Sequence, residues 1–289
     1  MVRRDEIQIR DPFVVPVQEQ KRYYLFGTTD VNCWRGPGEG FNCYMSEDLE
    51  TWFGPYESFR PPSGFWADRN FWAPEVHRWH NRYTMFATFT TEGRRRGTQI
   101  LVSDHVQGPY LPHAERPVTP ADWECLDGTL YVEDDTPYMV FCHEWLQVQD
   151  GEICRVELSP DLKTAVGEPK VLFRASEAPW VPENDKGQYV TDGPFLYRAS
   201  NGHLLMLWSS LAERGYANGI ARSKSGTLDG PWSHDEEPLY ADDGGHGMLF
   251  RRFDGQLVFT CHTPNRTPDE RPIFLPVEDD NGTLRLVRS

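Results

Sequence analysis

Residues 129–141 read TLYVEDDTPYMVF, an apolar run, a polar corner at Asp134-Asp135-Thr136 and a second apolar run. Strand-forming residues on both sides of a short acidic turn predict a β-hairpin. The same grammar recurs at 12–29 (PFVVPVQEQKRYYLFGTT), 76–89 (VHRWHNRYTMFATF), 194–210 (PFLYRASNGHLLMLWSS) and 247–262 (GMLFRRFDGQLVFTCH). Each hairpin is followed by a third strand and a closing segment rich in Ser, Asp and Gly, as in YMSEDLETW, LVSDHVQGPY and ARSKSGTLDGPW. With Asp11, Trp72, Asp127, Asp192 and His246 taken as the residues that open the units, the intervals are 61, 55, 65 and 54. A period of this size, with one four-stranded sheet per unit, predicts an all-β fold: a five-bladed β-propeller, single domain, over residues 1–289.

Composition agrees. Aromatic residues make up 13% of the 289, and 24 Gly and 23 Pro suit short strands joined by tight turns. The formal charge is −15, a field that repels phosphate backbones and anionic headgroups, so neither nucleic acid nor membrane is an expected partner. The one dense basic run, Arg94 to Arg96, reads as a solvated loop. The N-terminal MVRRDEIQIRDPF lacks the apolar stretch of a secretory signal, which predicts a cytoplasmic protein. Six cysteines without C-x-x-C or zinc-type spacing are expected to be reduced and buried.

In a propeller the first strand of each blade lines the central axis, so the residues opening the units converge on one funnel. Three of them are aspartates: Asp11, Asp127 and Asp192. Like charges crowded into one pocket repel, and retaining three there points to acid/base chemistry. Each alone is equally the first residue of an Asp-Pro or Asp-Gly turn. Aromatic residues in the irregular stretches (Trp34, Phe65, Trp66, Trp123, Trp180) are candidates for sugar stacking or for filling gaps between blades.

The ordered set RDPF (10–13), WAPEV (72–76), LDGTLYVEDD (126–135), DGPF (192–195) and GGHGM (244–248) resembles glycoside hydrolase family 43, with motifs spread over nearly the whole chain. The resemblance implies inversion at the anomeric carbon, no required cofactor and an oligosaccharide substrate. It gives Asp11 the place of the general base, Asp127 that of the aspartate tuning and orienting the acid, and Asp192 that of the general acid. The family usually carries Glu before that Gly-Pro, and Asp192 is one methylene shorter. Glu144, in FCHEWLQ, is the alternative acid. Trp72, Glu75, Trp145 and Arg271 are candidate substrate-binding residues, Glu75 being equally a structural hydrogen-bonding partner and Arg271 equally a surface ion pair. His246 is placed at the axial cavity, where family members hold a calcium or other cation through water.

The expected activity is exo-acting removal of terminal pentosides, α-L-arabinofuranosides or β-D-xylosides, from plant-type oligosaccharides. A catalytically silent carbohydrate-binding propeller and a galactoside-specific relative are the alternatives. An inverting enzyme places its two carboxyl groups roughly 6.5–9.5 Å apart, leaving room for a water held by the base.

Overall fold

In the computed structural model, which describes residues 1–287, five antiparallel sheets follow one another along the chain. Their first strands are Arg10–Val17, Arg69–Trp79, Cys125–Glu133, Asp192–Arg198 and Gly245–Arg251. Each sheet is a meander of four strands, and the first blade gains a fifth, Val2–Arg3, which pairs with the outer strand Thr51–Phe59. The fold is the expected single-domain β-propeller. Among the described residues, helix is confined to Trp145–Val148 and two 3-10 turns.

The middle strands of the blades are buried on both faces, and the core lies between neighbouring blades. Phe26, Phe41, Phe59, Phe71 and Phe89 fill the space between blades one and two. Trp208 of blade four lies 5.0 Å from Trp180, ring centre to ring centre, in the core against blade three. All six cysteines are free thiols in buried positions. The turn between Glu133 and Thr136 is a two-residue hairpin loop with Asp134 and Asp135 at φ +49° and +63°, the left-handed pair such a loop requires.

One local device recurs five times and builds the funnel. Near the head of every first strand, two residues oppose one on the second strand: Asp11-Pro12, Ala73-Pro74, Asp127-Gly128, Gly193-Pro194 and His246-Gly247. The first of each pair has φ of +53°, +46°, +56°, +49° and +52° respectively. Such a bulge bends the strand and re-aims a side chain, and Asp and His accept this backbone better than most non-glycine residues.

The structural equivalents of Asp11 are therefore Ala73 and Gly193, not Trp72 and Asp192, and the true spacings are 62, 54, 66 and 53. Trp72 and Asp192 sit one place earlier, in register with Thr88 and Ser209. A bulge changes which neighbour occupies the corner without changing the motif's letters, so the sequence count slipped by one in blades two and four.

Candidate active site

Three of the five bulges contribute Asp11, Asp127 and His246 to a cavity of about 950 Å³, which Asp192, Glu144, Trp72 and Trp145 also line. Asp11 is held from three sides. Its amide donates to His262 Nδ1 at 3.1 Å, Thr28 Oγ1 donates to its Oδ2 at 2.7 Å, and His246 Nδ1 lies 3.3 Å from its Oδ1. Because Nδ1 of His262 accepts, its proton sits on Nε2, 3.2 Å from Asn265 Oδ1. Burial, then Arg10, pushes that ring down to about 3, so His262 stays neutral.

Burial opposes charge on Asp11, but His246 and then Arg10 outweigh it and hold the carboxyl well below the usual range. Burial also opposes charge on His246; Asp11 and Asp127 overcome it and push the imidazole well above its ordinary value. Asp11 is thus an ionised carboxylate beside an imidazolium.

Asp127 accepts from the Gly193 amide at 3.0 Å and lies 3.7 Å from His246 Nδ1. Burial raises it, His246 pulls back and Asp11 adds to the rise, leaving it at about 6. Asp192 accepts from Tyr216 Oη at 3.1 Å. Burial first, then the charge of Asp127, pushes it well above the carboxylate range, which keeps it protonated. Burial and Asp192 push Tyr216 up as well, so its phenol remains a donor. One cavity holds a carboxylate that keeps its charge and a carboxyl that keeps its proton, the pairing acid/base chemistry needs.

Glu144 reaches the same cavity, paired with Arg96. Burial outweighs that pair, and Glu124 adds to it, so the group sits at about 7. Arg96 corrects the reading of Arg94 to Arg96 as a solvated loop. Its side chain is 15% exposed and its guanidinium stacks over Trp72 at 4.7 Å. Trp72 lines the cavity with that face covered, while its indole donates to the Cys33 carbonyl at 2.8 Å. Trp145 opens the short helix on the rim.

Two candidates lie elsewhere. Glu75 is buried away from the cavity lining, 3.4 Å from His77 and 3.8 Å from His246, which makes it a partner of the histidines and not of a sugar. Arg271 points away from the cavity, donating to the carbonyls of Asp5, Pro268 and Glu270. Of the loop aromatics only Trp34 reaches the lining, half exposed; Phe65 and Trp66 pack on the first core, Trp123 stacks on His143, and Trp180 is buried.

No set of direct ligands for the cation expected at His246 surrounds it among the described residues: Nδ1 lies 3.3 Å from Asp11 and 3.7 Å from Asp127, and Nε2 3.8 Å from Glu75, contacts at ion-pair and not metal-ligand distance. Among the described residues, no group of three or more His, Cys, Asp or Glu is placed to hold a metal. Sequence reasoning missed Tyr216, His262, Thr28 and Arg96, each brought in from a strand or loop whose own letters carry no site motif.

The family model described as glycosyl hydrolases family 43 matches residues 6–282. An endo-arabinase from Bacteroides thetaiotaomicron is similar at 41% identity over 98% of each chain, with a TM-score of 0.90. An endo-1,4-beta-xylanase of the same organism (24% identity, 98% and 95% covered, TM-score 0.80) and an alpha-L-arabinofuranosidase from Lactobacillus brevis (18%, 98% and 97%, 0.75) share the fold. No curated protein matches. Matched along nearly all its length and built around this set of carboxylates, the chain belongs to glycoside hydrolase family 43 and is a glycoside hydrolase.

Proposed function

We propose that the chain is an inverting hydrolase that removes terminal pentosides from plant-type oligosaccharides, with α-L-arabinofuranosides as its main substrates. The observation that carries this reading is the opposite ionisation of Asp11 and Asp192 around one cavity. Asp11 takes a proton from a water as that water attacks the anomeric carbon. Asp192 gives its proton to the departing glycosidic oxygen. Asp127, mostly ionised near neutral pH, raises Asp192 and keeps it loaded. Attack opposite the leaving group yields the inverted anomer. His246 balances the negative charge of the site.

The choice of arabinose over xylose is supported by the 41% identical neighbour, described as an endo-arabinase. That description also favours a second reading, cleavage inside an arabinan chain. The terminal reading rests on residues between the strands, Trp34, Trp145, Leu146 and Lys186, which line the cavity along with the carboxylates.

The first products from linear 1,5-arabinan decide between them: free arabinose supports terminal cleavage, and a ladder of oligomers supports the internal one. Proton NMR of the nascent product reads inversion directly. Asp11→Asn keeps the side chain's shape but removes the base, and it is expected to lower kcat by about a thousandfold or more with the fold intact by circular dichroism. Activity within tenfold of wild type sinks the assignment of the base.

A further inference from the structure

The bulge at the head of each first strand turns one backbone amide toward the preceding blade, and four of the five are satisfied in one way. The Ala73 amide donates to Thr28 Oγ1 at 2.8 Å, Asp127 to Thr88 Oγ1 at 2.9 Å, His246 to Ser209 Oγ at 2.7 Å and Asp11 to His262 Nδ1 at 3.1 Å. All four acceptors hold the same register position on the second strand of the preceding blade, opposite Arg10, Trp72, Asp192 and Gly245. Blade three breaks the series. The residue opposite Leu126 is Cys142, whose buried thiol is a weak acceptor. The amide it would have received, that of Gly193, donates instead to Asp127 Oδ2 at 3.0 Å.

Asp11 and Asp127 occupy equivalent bulges, yet a hydroxyl stands between Asp11 and the next blade's amide, while nothing stands between Asp127 and Gly193. Thr28 accepts from Ala73 and donates its own hydrogen bond to Asp11. We infer that Cys142 is a positioning residue: by declining the Gly193 amide, it leaves that donor to the Asp127 carboxylate and so fixes the orientation of the group facing Asp192.

A merely structural role makes serine the mild substitution and alanine the harmful one; the positioning role reverses the order. Cys142→Ser, or Cys142→Thr on the precedent of Thr28 and Thr88, introduces an acceptor that captures the Gly193 amide. Cys142→Ala introduces none. In wild type and Cys142→Ala, the Gly193 amide proton resonance is expected to titrate with Asp127, around pH 6, and in Cys142→Ser and Cys142→Thr that titration is lost.

The rate expectation rests on the glycosidase reading. Removing one charge-assisted hydrogen bond from Asp127 lowers kcat about tenfold in the serine and threonine variants with KM nearly unchanged. Alanine stays within about threefold of wild type in kcat. The NMR titration needs no substrate, so an enzyme inactive on every pentoside still tests the positioning role. A serine variant whose Gly193 amide still follows Asp127, or an alanine variant that loses the titration along with it, overturns the inference.

Discussion

Asp192 and Glu144 share a cavity, and neutral pH finds both able to carry a proton, for different reasons. Asp192 is kept neutral by burial and the negative charge of Asp127; Glu144 is raised by burial against the pull of Arg96. Only Asp192 has carboxylates and a phenol around it and no cation in ion-pair contact, so it is the better donor. Asp192→Ala is expected to lose about a hundredfold or more in kcat on natural linkages and far less on an aryl pentoside whose leaving group departs without a proton. A raised acid must be protonated to act, so wild-type activity falls as pH rises through the Asp192 value, and in Asp192→Ala that alkaline limb disappears. Glu144→Ala should slow good and poor leaving groups alike. Selective rescue by the aryl group in Glu144→Ala instead would exchange the two roles. Asp11, Asp127 and His246 were legible in sequence because they recur at one place in a repeat. Tyr216 and His262 were not, since their partners Asp192 and Asp11 lie 24 and 251 residues away and only the closed ring brings them together.

At the scale of the strand, hairpins and turns were readable from residue type, whereas the bulges were not. Phe-Cys-His at 141–143 and Thr-Cys-His at 260–262 look aligned, yet Cys142 corresponds to His262 in register, a slip of one residue that changes which side chain meets the next blade. The same bulge makes Gly193 a decisive position. Ala73 adopts φ +46° at the equivalent corner, so alanine tolerates the backbone that Gly193 holds at +49°. The obstacle is contact: a Cβ on Gly193 would stand 2.6 Å from the His246 ring, which must move and give up its place beside Asp11. Gly193→Ala is therefore expected to fold, with an unfolding midpoint within a few degrees of wild type, and to lose about tenfold or more in kcat/KM. Wild-type kinetics in that variant would mean that the ring shifts without consequence for Asp11.

Across the whole molecule, the count of five blades was legible, but not how the ring closes. Among the described residues, blade five is built from Gly245 to Leu286, and no N-terminal strand joins it. Closure falls to side chains and loops. Arg10, next to Asp11, donates to Glu270 at 2.9 Å and to Asn265 at 2.8 Å, and Arg271 ties the last blade to the Asp5 carbonyl. Glu270 is fully buried and the Arg10 side chain 11% exposed, so this pair joins the ends of the ring inside the protein. Breaking one member of a buried pair strands the other's charge, a cost of about 3–5 kcal/mol, whereas losing solvent-facing bonds to carbonyls costs about 1 kcal/mol. Glu270→Ala is accordingly expected to lower unfolding free energy in urea by the larger amount and Arg271→Ala by the smaller. Replacing both charges, as Arg10→Met with Glu270→Leu, should recover much of the loss, because no unpaired charge remains. Activity need not return with stability in the double variant, since Arg10 also helps hold Asp11 ionised. If Glu270→Ala proves no more costly than Arg271→Ala, closure rests on the apolar contacts of Phe250, Val258 and Phe274 with blade one instead.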